Sequence, residues 1–124
     1  MGASTPPGAS RPTRGELTPP AGYCVVARLR GRPVGCGALK LHGSAPGELK
    51  RMWVDAGSRG LGVGRRLLKG LEALARENEV RALRLETNRA LTEAIGLYRG
   101  AGYEEVAPFN DEPHAHHWFE KKLF

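Results

Sequence analysis

Residues 59–66 read RGLGVGRR: an arginine, three glycines at alternate positions and two more arginines, with a leucine-rich stretch following. Glycine lets a backbone approach a ligand closely. A helix that opens just after such a run presents N–H groups without intrahelical acceptors and the positive end of its macrodipole. Gly60, Gly62 and Gly64 remove side chains that would hold an anion away, and Arg59, Arg65 and Arg66 add charge around the same turn. The chemistry this favours is phosphate binding, with a pyrophosphate as the natural ligand. A tight turn beside solvated arginines is the plainer alternative. It accounts for either feature alone better than for both together at a strand–helix junction.

Other reactive side chains are fewer. His114, His116 and His117 cluster in HAHHWF, but adjacent strand positions send His116 and His117 to opposite faces, so they do not readily share an ion. Surface and sheet-packing roles are expected for the three, with a place for one at a substrate site as the lesser alternative, and no metal. Cys24 and Cys36 lack metal-ligand spacing and are too few for a disulfide scaffold. They read as small buried hydrophobes in a reducing compartment. Glu86 lies a little over twenty residues beyond the glycine run, where dinucleotide folds carry a ribose-binding acid. The G-x-G-x-x-G fingerprint nevertheless fails in both registers, with Arg65 or Leu67 standing where the third glycine is required.

The elements that must position these groups follow from hydropathy. Residues 1–22 are Pro, Gly, Ser and Thr with a single leucine, which buries too little to offset ordering, and predict a flexible tail with a short ordered piece near Leu17. Residues 23–124 form the folded domain. YCVVARLR (23–30) and VGCGALKL (34–41) read as a hairpin around GRP, with Gly35 and Gly37 marking a bulge or a close backbone approach. ELKRMWVD (48–55) is a third strand. Val63, Leu67, Leu71, Leu74 and Ala75 recur at helical spacing over 62–77, and RALRLE (81–86) is a strand. LTEAIGLYRGAG (91–102) is a helix stopped by glycines, and 103–109 and 116–124 close the fold as antiparallel strands. This order predicts an α/β fold of the mixed, α+β kind: a mostly antiparallel central sheet flanked by helices.

With the elements in place, Arg59-Gly60-Leu61-Gly62-Val63-Gly64 also fits (Q/R)-x-x-G-x-(G/A), and the chain resembles the GCN5-related N-acetyltransferases, the GNAT family, over roughly residues 22–124. EAIGLYRGAGYEEV resembles the family's A-x-x-L-Y-x-x-x-G-(F/Y) segment, matched at Ala94, Leu97, Tyr98, Gly102 and Tyr103. The resemblance implies acetyl-CoA as co-substrate. The backbone of 60–65 (Gly60, Leu61, Gly62, Val63, Gly64 and Arg65), with Arg59, would hold its pyrophosphate, and Met52, Trp53 and Val54 would hold the pantetheine arm along a splayed central strand. It implies Tyr98 as the acid that protonates the departing thiolate, a role suited to a phenol, and Glu48 as a general base acting on the amine, often through water. An asparagine that many members carry seven positions before the tyrosine is Leu91 here, while Asn88 lies nearby in a different register and is a weaker cofactor contact. The family's opening strand and two helices have no counterpart ahead of the first readable strand, so that part of the fold is missing or reduced.

The expected function is therefore acetyl transfer from acetyl-CoA to an amine, small molecule or protein amino group, directly in a ternary complex. A non-catalytic acyl-CoA-binding module of the same fold is the alternative. The net charge of +6 suits an anionic partner, yet no basic strand interleaved with aromatics or recognition helix favours nucleic acid. No apolar stretch is long enough to span a membrane and no hydrophobic secretory segment opens the chain, so a cytoplasmic protein is expected. A homodimer would cover sheet left exposed by the shortened fold.

Overall fold

The computed structural model describes residues 3–4 and 21–124. The chain order is β1 (Ala3–Ser4), β2 (Gly22–Leu29), β3 (Arg32–His42), β4 (Ala45–Val54), a 3-10 turn (Ala56–Ser58), α1 (Val63–Glu77), β5 (Ala82–Thr87), α2 (Thr92–Gly100), β6 (Glu104–Val106) and β7 (His117–Lys122). Among the described residues the strands form one sheet in the order β1-β2-β3-β4-β5-β7-β6, in which the parallel neighbours are β4 and β5. The mixed, mostly antiparallel sheet with two helices is the fold the periodicity predicts. Ala3–Ser4, within the stretch expected to be a tail, pair with β2 through Ala3↔Ala27 and Ser4↔Val26. The ordered piece expected near Leu17 lies outside the described residues.

The local reasons are visible residue by residue. Arg30 and Gly31 both have positive φ, 53° and 78°, the backbone of a two-residue turn that matches the twist of β2 and β3. In α1 the buried set is Val63, Leu67, Leu68, Leu71, Glu72 and Ala75, one face laid on the sheet. That helix ends where Asn78 Nδ2 donates to the Leu74 carbonyl at 2.8 Å and Glu79 takes a φ of 60°. The strand read over 103–109 is in fact three residues long, because Pro108 follows close behind Val106 and has no N–H to donate to a ladder.

Two features shape the middle of the sheet. The first is the close approach predicted at Gly35 and Gly37. A Cβ at Gly35 would sit 2.9 Å from the Trp53 carbonyl oxygen and 3.0 Å from Leu67, and one at Gly37 would sit 2.6 Å from Met52 Sδ and 2.8 Å from Leu71. These two glycines let α1 and the outer half of β4 settle directly onto β3. The second is a bulge in β4. Cys36 pairs with Trp53 and Ala38 with Lys50, so Arg51 and Met52 together oppose Gly37, and Arg51 has a φ of 53°. Pairing of β4 with β5 runs through Gly47↔Leu83 and Glu48↔Arg84 and then stops. Beyond the bulge β4 follows β3 and leaves β5, so the sheet opens between them.

Glycine substitutions separate these effects. Gly35→Ala drives a Cβ into a backbone oxygen and is expected to destabilise the fold by about 1–3 kcal/mol, the usual range for overpacking. Gly96→Ala, at an open and exposed site inside α2, should stabilise it by about 0.5–1 kcal/mol through helix propensity. Urea denaturation midpoints moving in opposite directions check both.

Candidate active site

The opening between β4 and β5 continues into a cavity of about 830 Å³ that runs from the start of α1 to the inner face of α2. Of the residues expected to hold a cofactor, Met52, Trp53, Val54, Arg59, Gly60, Gly62, Val63, Gly64, Arg65, Asn88 and Tyr98 all line it. Leu61 does not. Its side chain is 60% exposed, and its N–H already donates to the Ser58 carbonyl at 3.4 Å.

The glycine run divides its work. Gly60 and Gly62 have φ of 86° and 78° with open space where a Cβ would stand, so their lack of a side chain serves the backbone turn and leaves room above it. Gly64 serves packing, since a Cβ there would lie 2.8 Å from Leu97 and part the two helices. Gly62 caps α1, whose first intrahelical bond is from Arg66 N–H to the Gly62 carbonyl at 3.1 Å. The N–H groups of Val63, Gly64 and Arg65 thus have no acceptor within the helix and sit at the positive end of its dipole. Arg59 pairs with Glu93 across the cavity mouth, Nε to Oε2 at 3.3 Å. Turn, free amides and cations together fit a pyrophosphate.

Tyr98 is placed by the way α2 ends. Gly102, at φ 95°, lets Ala101 N–H reach the Leu97 carbonyl and Tyr103 N–H reach the Tyr98 carbonyl, each at 3.0 Å. The Tyr103 ring then meets Tyr98 edge-on at 5.9 Å, and its hydroxyl donates to Glu72 Oε2 at 2.9 Å. Lys121 Nζ bonds both oxygens of that buried carboxylate, at 3.1 and 3.2 Å. Burial and the Glu72 carboxylate push the Tyr103 phenol well above its ordinary value, so it stays a donor. Tyr98 is itself 5% exposed, and burial pushes its phenol up to about 12.

Glu48 stands apart from the lining residues. It bonds His42 Nε2 on one side and Lys50 Nζ, at 3.1 Å, on the other. Burial alone would raise its pKa, but these two partners hold the carboxyl below its ordinary value. Glu86, which the dinucleotide reading had singled out for a different reason, does line the cavity. Lys50 Nζ donates to its Oε1 at 2.9 Å, while Oε2 is buried with no hydrogen-bond partner among the described residues. Sequence reasoning gave this residue no catalytic part.

The loop between β6 and β7 brings Glu112, His114 and Ala115 to the cavity wall. It is tied down by Asn88 Nδ2 to the His114 carbonyl and by His116 N–H to the Thr87 carbonyl, each at 2.9 Å. Asn88 thus lines the cavity while holding the loop. Leu91 sits at the wall too, 54% exposed at the start of α2. Among the histidines, His116 Nδ1 accepts from Arg89 N–H at 3.1 Å and His117 donates to Glu105 at 2.7 Å. Cys24 is buried, and burial with its neighbour Cys24 pushes the Cys36 thiol up; neither cysteine lines the cavity.

Comparison with known proteins agrees with this geometry. The sequence profile described as the acetyltransferase (GNAT) family matches residues 4–103, and the chain belongs to that family. It is 43% identical over 86 residues to an IAA acetyltransferase of Azospirillum brasilense, covering 68% of this chain and 56% of that protein. It is 35% identical over 94 residues to the N-alpha-acetyltransferase RimI of Mycobacterium tuberculosis, covering 73% and 58%. A crystal structure from Klebsiella pneumoniae, of a protein assigned as an acyl-CoA N-acyltransferase, superposes with a TM-score of 0.78 at 38% identity, covering 87% of this chain and 77% of that one. A GNAT acetyltransferase of Elizabethkingia anophelis with acetyl-CoA bound shares the fold, with a TM-score of 0.70 at 17% identity over 82% and 76% of the two chains. The chain spans between 32% and 60% of the length of these curated relatives, 56% for the Azospirillum protein. No helix of the described residues is long and apolar enough to cross a membrane.

The depressed Glu48 carboxyl carries a stability consequence. A group whose pKa is lowered on folding stabilises the fold above its unfolded value, and that contribution is lost as pH falls through the folded value. Acid titration of the unfolding midpoint should therefore show a loss beginning near the ordinary glutamate range, and Glu48→Gln should make that loss shallower.

Proposed function

We propose that this chain is an acetyl-CoA-dependent N-acetyltransferase that passes the acetyl group directly to an amine held beside the thioester. The observation that carries the reading is the continuity of the cavity. It joins the glycine-lined start of α1, the outer half of β4 that is parted from β5, and Tyr98. The free amides of 63–65 with Arg59 and Arg65 would take the pyrophosphate, and the backbone of Met52, Trp53 and Val54, released from β5, would take the amide-bearing arm. The group bound there supplies an activated acetyl thioester. Residues 23–124 make up the domain that does this, and the family relationship supports transferase chemistry of this kind.

The chain's own part is to manage protons. Tyr98, held protonated by burial, gives its proton to the sulfur as the carbon–sulfur bond breaks. On the other side of the reacting carbon, two carboxylates joined by Lys50, Glu48 and Glu86, serve the incoming amine, which must lose a proton before it attacks. Neither cysteine reaches the cavity, which favours direct transfer over an acyl-enzyme on sulfur. The relatives are named as an IAA acetyltransferase, a blasticidin-S acetyltransferase and an N-alpha-acetyltransferase, so the acceptor class is not selected by kinship.

Acetyl-CoA at a hundred times its Kd should stabilise the protein by about 2.7 kcal/mol, visible as a higher Tm, whereas NAD should give no shift. Free-thiol release across a panel of amines and peptides should show turnover. Tyr98→Phe should lower kcat by roughly a hundredfold or more, the usual scale of general-acid catalysis, while leaving the acetyl-CoA stabilisation intact. Stabilisation with no turnover on any amine would identify a binding module instead.

A further inference from the structure

One cation of the anion cradle, Arg59, is already paired with an acid. Its Nε lies 3.3 Å from Glu93 Oε2, so the pair bridges the cavity mouth from the turn before α1 to the first turn of α2. Both ends of the bridge are anchored. Arg59 N–H donates to the Ala56 carbonyl at 3.4 Å and closes the 3-10 turn, whose Ser58 is buried. On the other side Leu91 N–H reaches the Asn88 carbonyl at 3.0 Å, and Asn88 is tied to the β6–β7 loop through the His114 carbonyl. Gly64 lets Leu97 seat α2 closely against α1. The mouth therefore has a set width, and these two side chains span it.

Three glutamates line the cavity: Glu86, Glu93 and Glu112. Glu86 is engaged by Lys50 where β4 and β5 part, and Glu112 stands exposed on the β6–β7 loop. Of the three it is Glu93 that occupies a group assigned to the pyrophosphate. A glutamate in the first turn of a helix is favourable by itself, which accounts for its charge but not for its partner. An arriving diphosphate has to take Arg59 from it. Both side chains are exposed, and an exposed pair holds weakly, so the exchange runs readily in either direction.

We propose that Glu93 is a release residue of the donor site: it gives up Arg59 to the pyrophosphate when the thioester binds and takes it back as the free thiol leaves, holding down the affinity for both. This rests on the transferase reading and adds the regulation of its donor site. No covalent bond is made or broken in the step. The guanidinium passes from carboxylate to phosphate and returns, and water solvates whichever anion is released. Because the carboxylate competes at contact distance, its effect belongs to dissociation, whereas a charge acting at long range changes mainly association.

Binding of coenzyme A, followed in low salt by calorimetry and by stopped-flow displacement, tests this without an acceptor. Glu93→Gln should tighten binding by about fivefold, the scale of a charge contact near the surface, with the gain in slower dissociation. Glu93→Ala, which cannot hold the arginine either, should repeat that result. Glu112→Gln removes the same charge from the same wall and should change neither constant by more than about twofold. In an Arg59→Gln background, itself weaker for coenzyme A, Glu93→Gln should gain less than about twofold, because the two residues act as one coupled pair. Four outcomes would overturn this inference and leave the transferase reading standing. They are an unchanged or weaker affinity in Glu93→Gln, an equal gain in Glu112→Gln, a gain confined to association, and a gain that survives Arg59→Gln. Failure of the wild type to bind coenzyme A would remove the donor site, and this inference with it.

Discussion

Everything in this molecule depends on how β4 parts from β5. A sheet normally satisfies its backbone groups by pairing every strand, and leaving an inner strand half-paired is costly. Here the cost is confined by a one-residue bulge. β4 keeps its hydrogen bonds to β3 on both sides of Arg51, so the extra residue is absorbed by a change of direction, and the ladder lost is the one to β5. Gly35 and Gly37 make the new direction possible, because any side chain there would collide with the diverted strand or with α1 above it. The opening is thus not a flaw in an otherwise regular sheet. It is held open from one side by close packing.

The other side is set by the end of α2. Gly102 reverses the chain so that Tyr103 folds back onto Tyr98, and the Glu72–Lys121 pair holds Tyr103 by its hydroxyl. That pair joins α1 to β7, so the ring that faces the cavity is referenced to both the helix carrying the glycine run and the strand beyond β5. Tyr98 also packs on Phe119, a fully buried residue of β7. A phenol placed this way has little freedom to turn. Burial also keeps it protonated well beyond neutral pH, so one packing arrangement both aims the group and sets its charge state.

Much of this was legible in the residues. Val63, Leu67, Leu71 and Ala75 identify α1 to within a residue, and the alternate glycines locate the turn that opens it. Gly35 and Gly37 announce a close approach before any contact is known. What could not be read depends on register and on partners distant in sequence. The bulge at Arg51 arises from how β3 and β4 align, and nothing in ELKRMWVD marks which residue takes positive φ. The sequence likewise cannot distinguish Gly64, which admits Leu97, from Gly60 and Gly62, which form the turn. Glu48 and Glu86 look alike as strand glutamates. They part only when His42, six positions away from one, and Lys50, thirty-six from the other, show which carboxylate is saturated and which has an oxygen to spare. The strand expected over 103–109 stops at Val106, because Pro108 has no N–H to give a ladder.

The charge at the parting point follows from the same geometry. Two carboxylates brought together at the mouth of a narrowing gap would repel, and one of them is largely shielded from water that could screen it. A single cation between them makes the arrangement tolerable. Lysine, with three donors on one point charge, can serve both at once where a planar guanidinium would favour one. Lys50 answers that need by its place in the register: two residues after Glu48 it shares that residue's face of β4, and it falls where Glu86 would have been its neighbour had the ladder continued. An ion pair therefore stands where a backbone pair is lost. The side-chain tie spans what the backbone can no longer span, and it leaves one buried carboxylate oxygen of Glu86 without a hydrogen-bond partner among the described residues. The opening and its charged group are consequences of one interruption in the sheet.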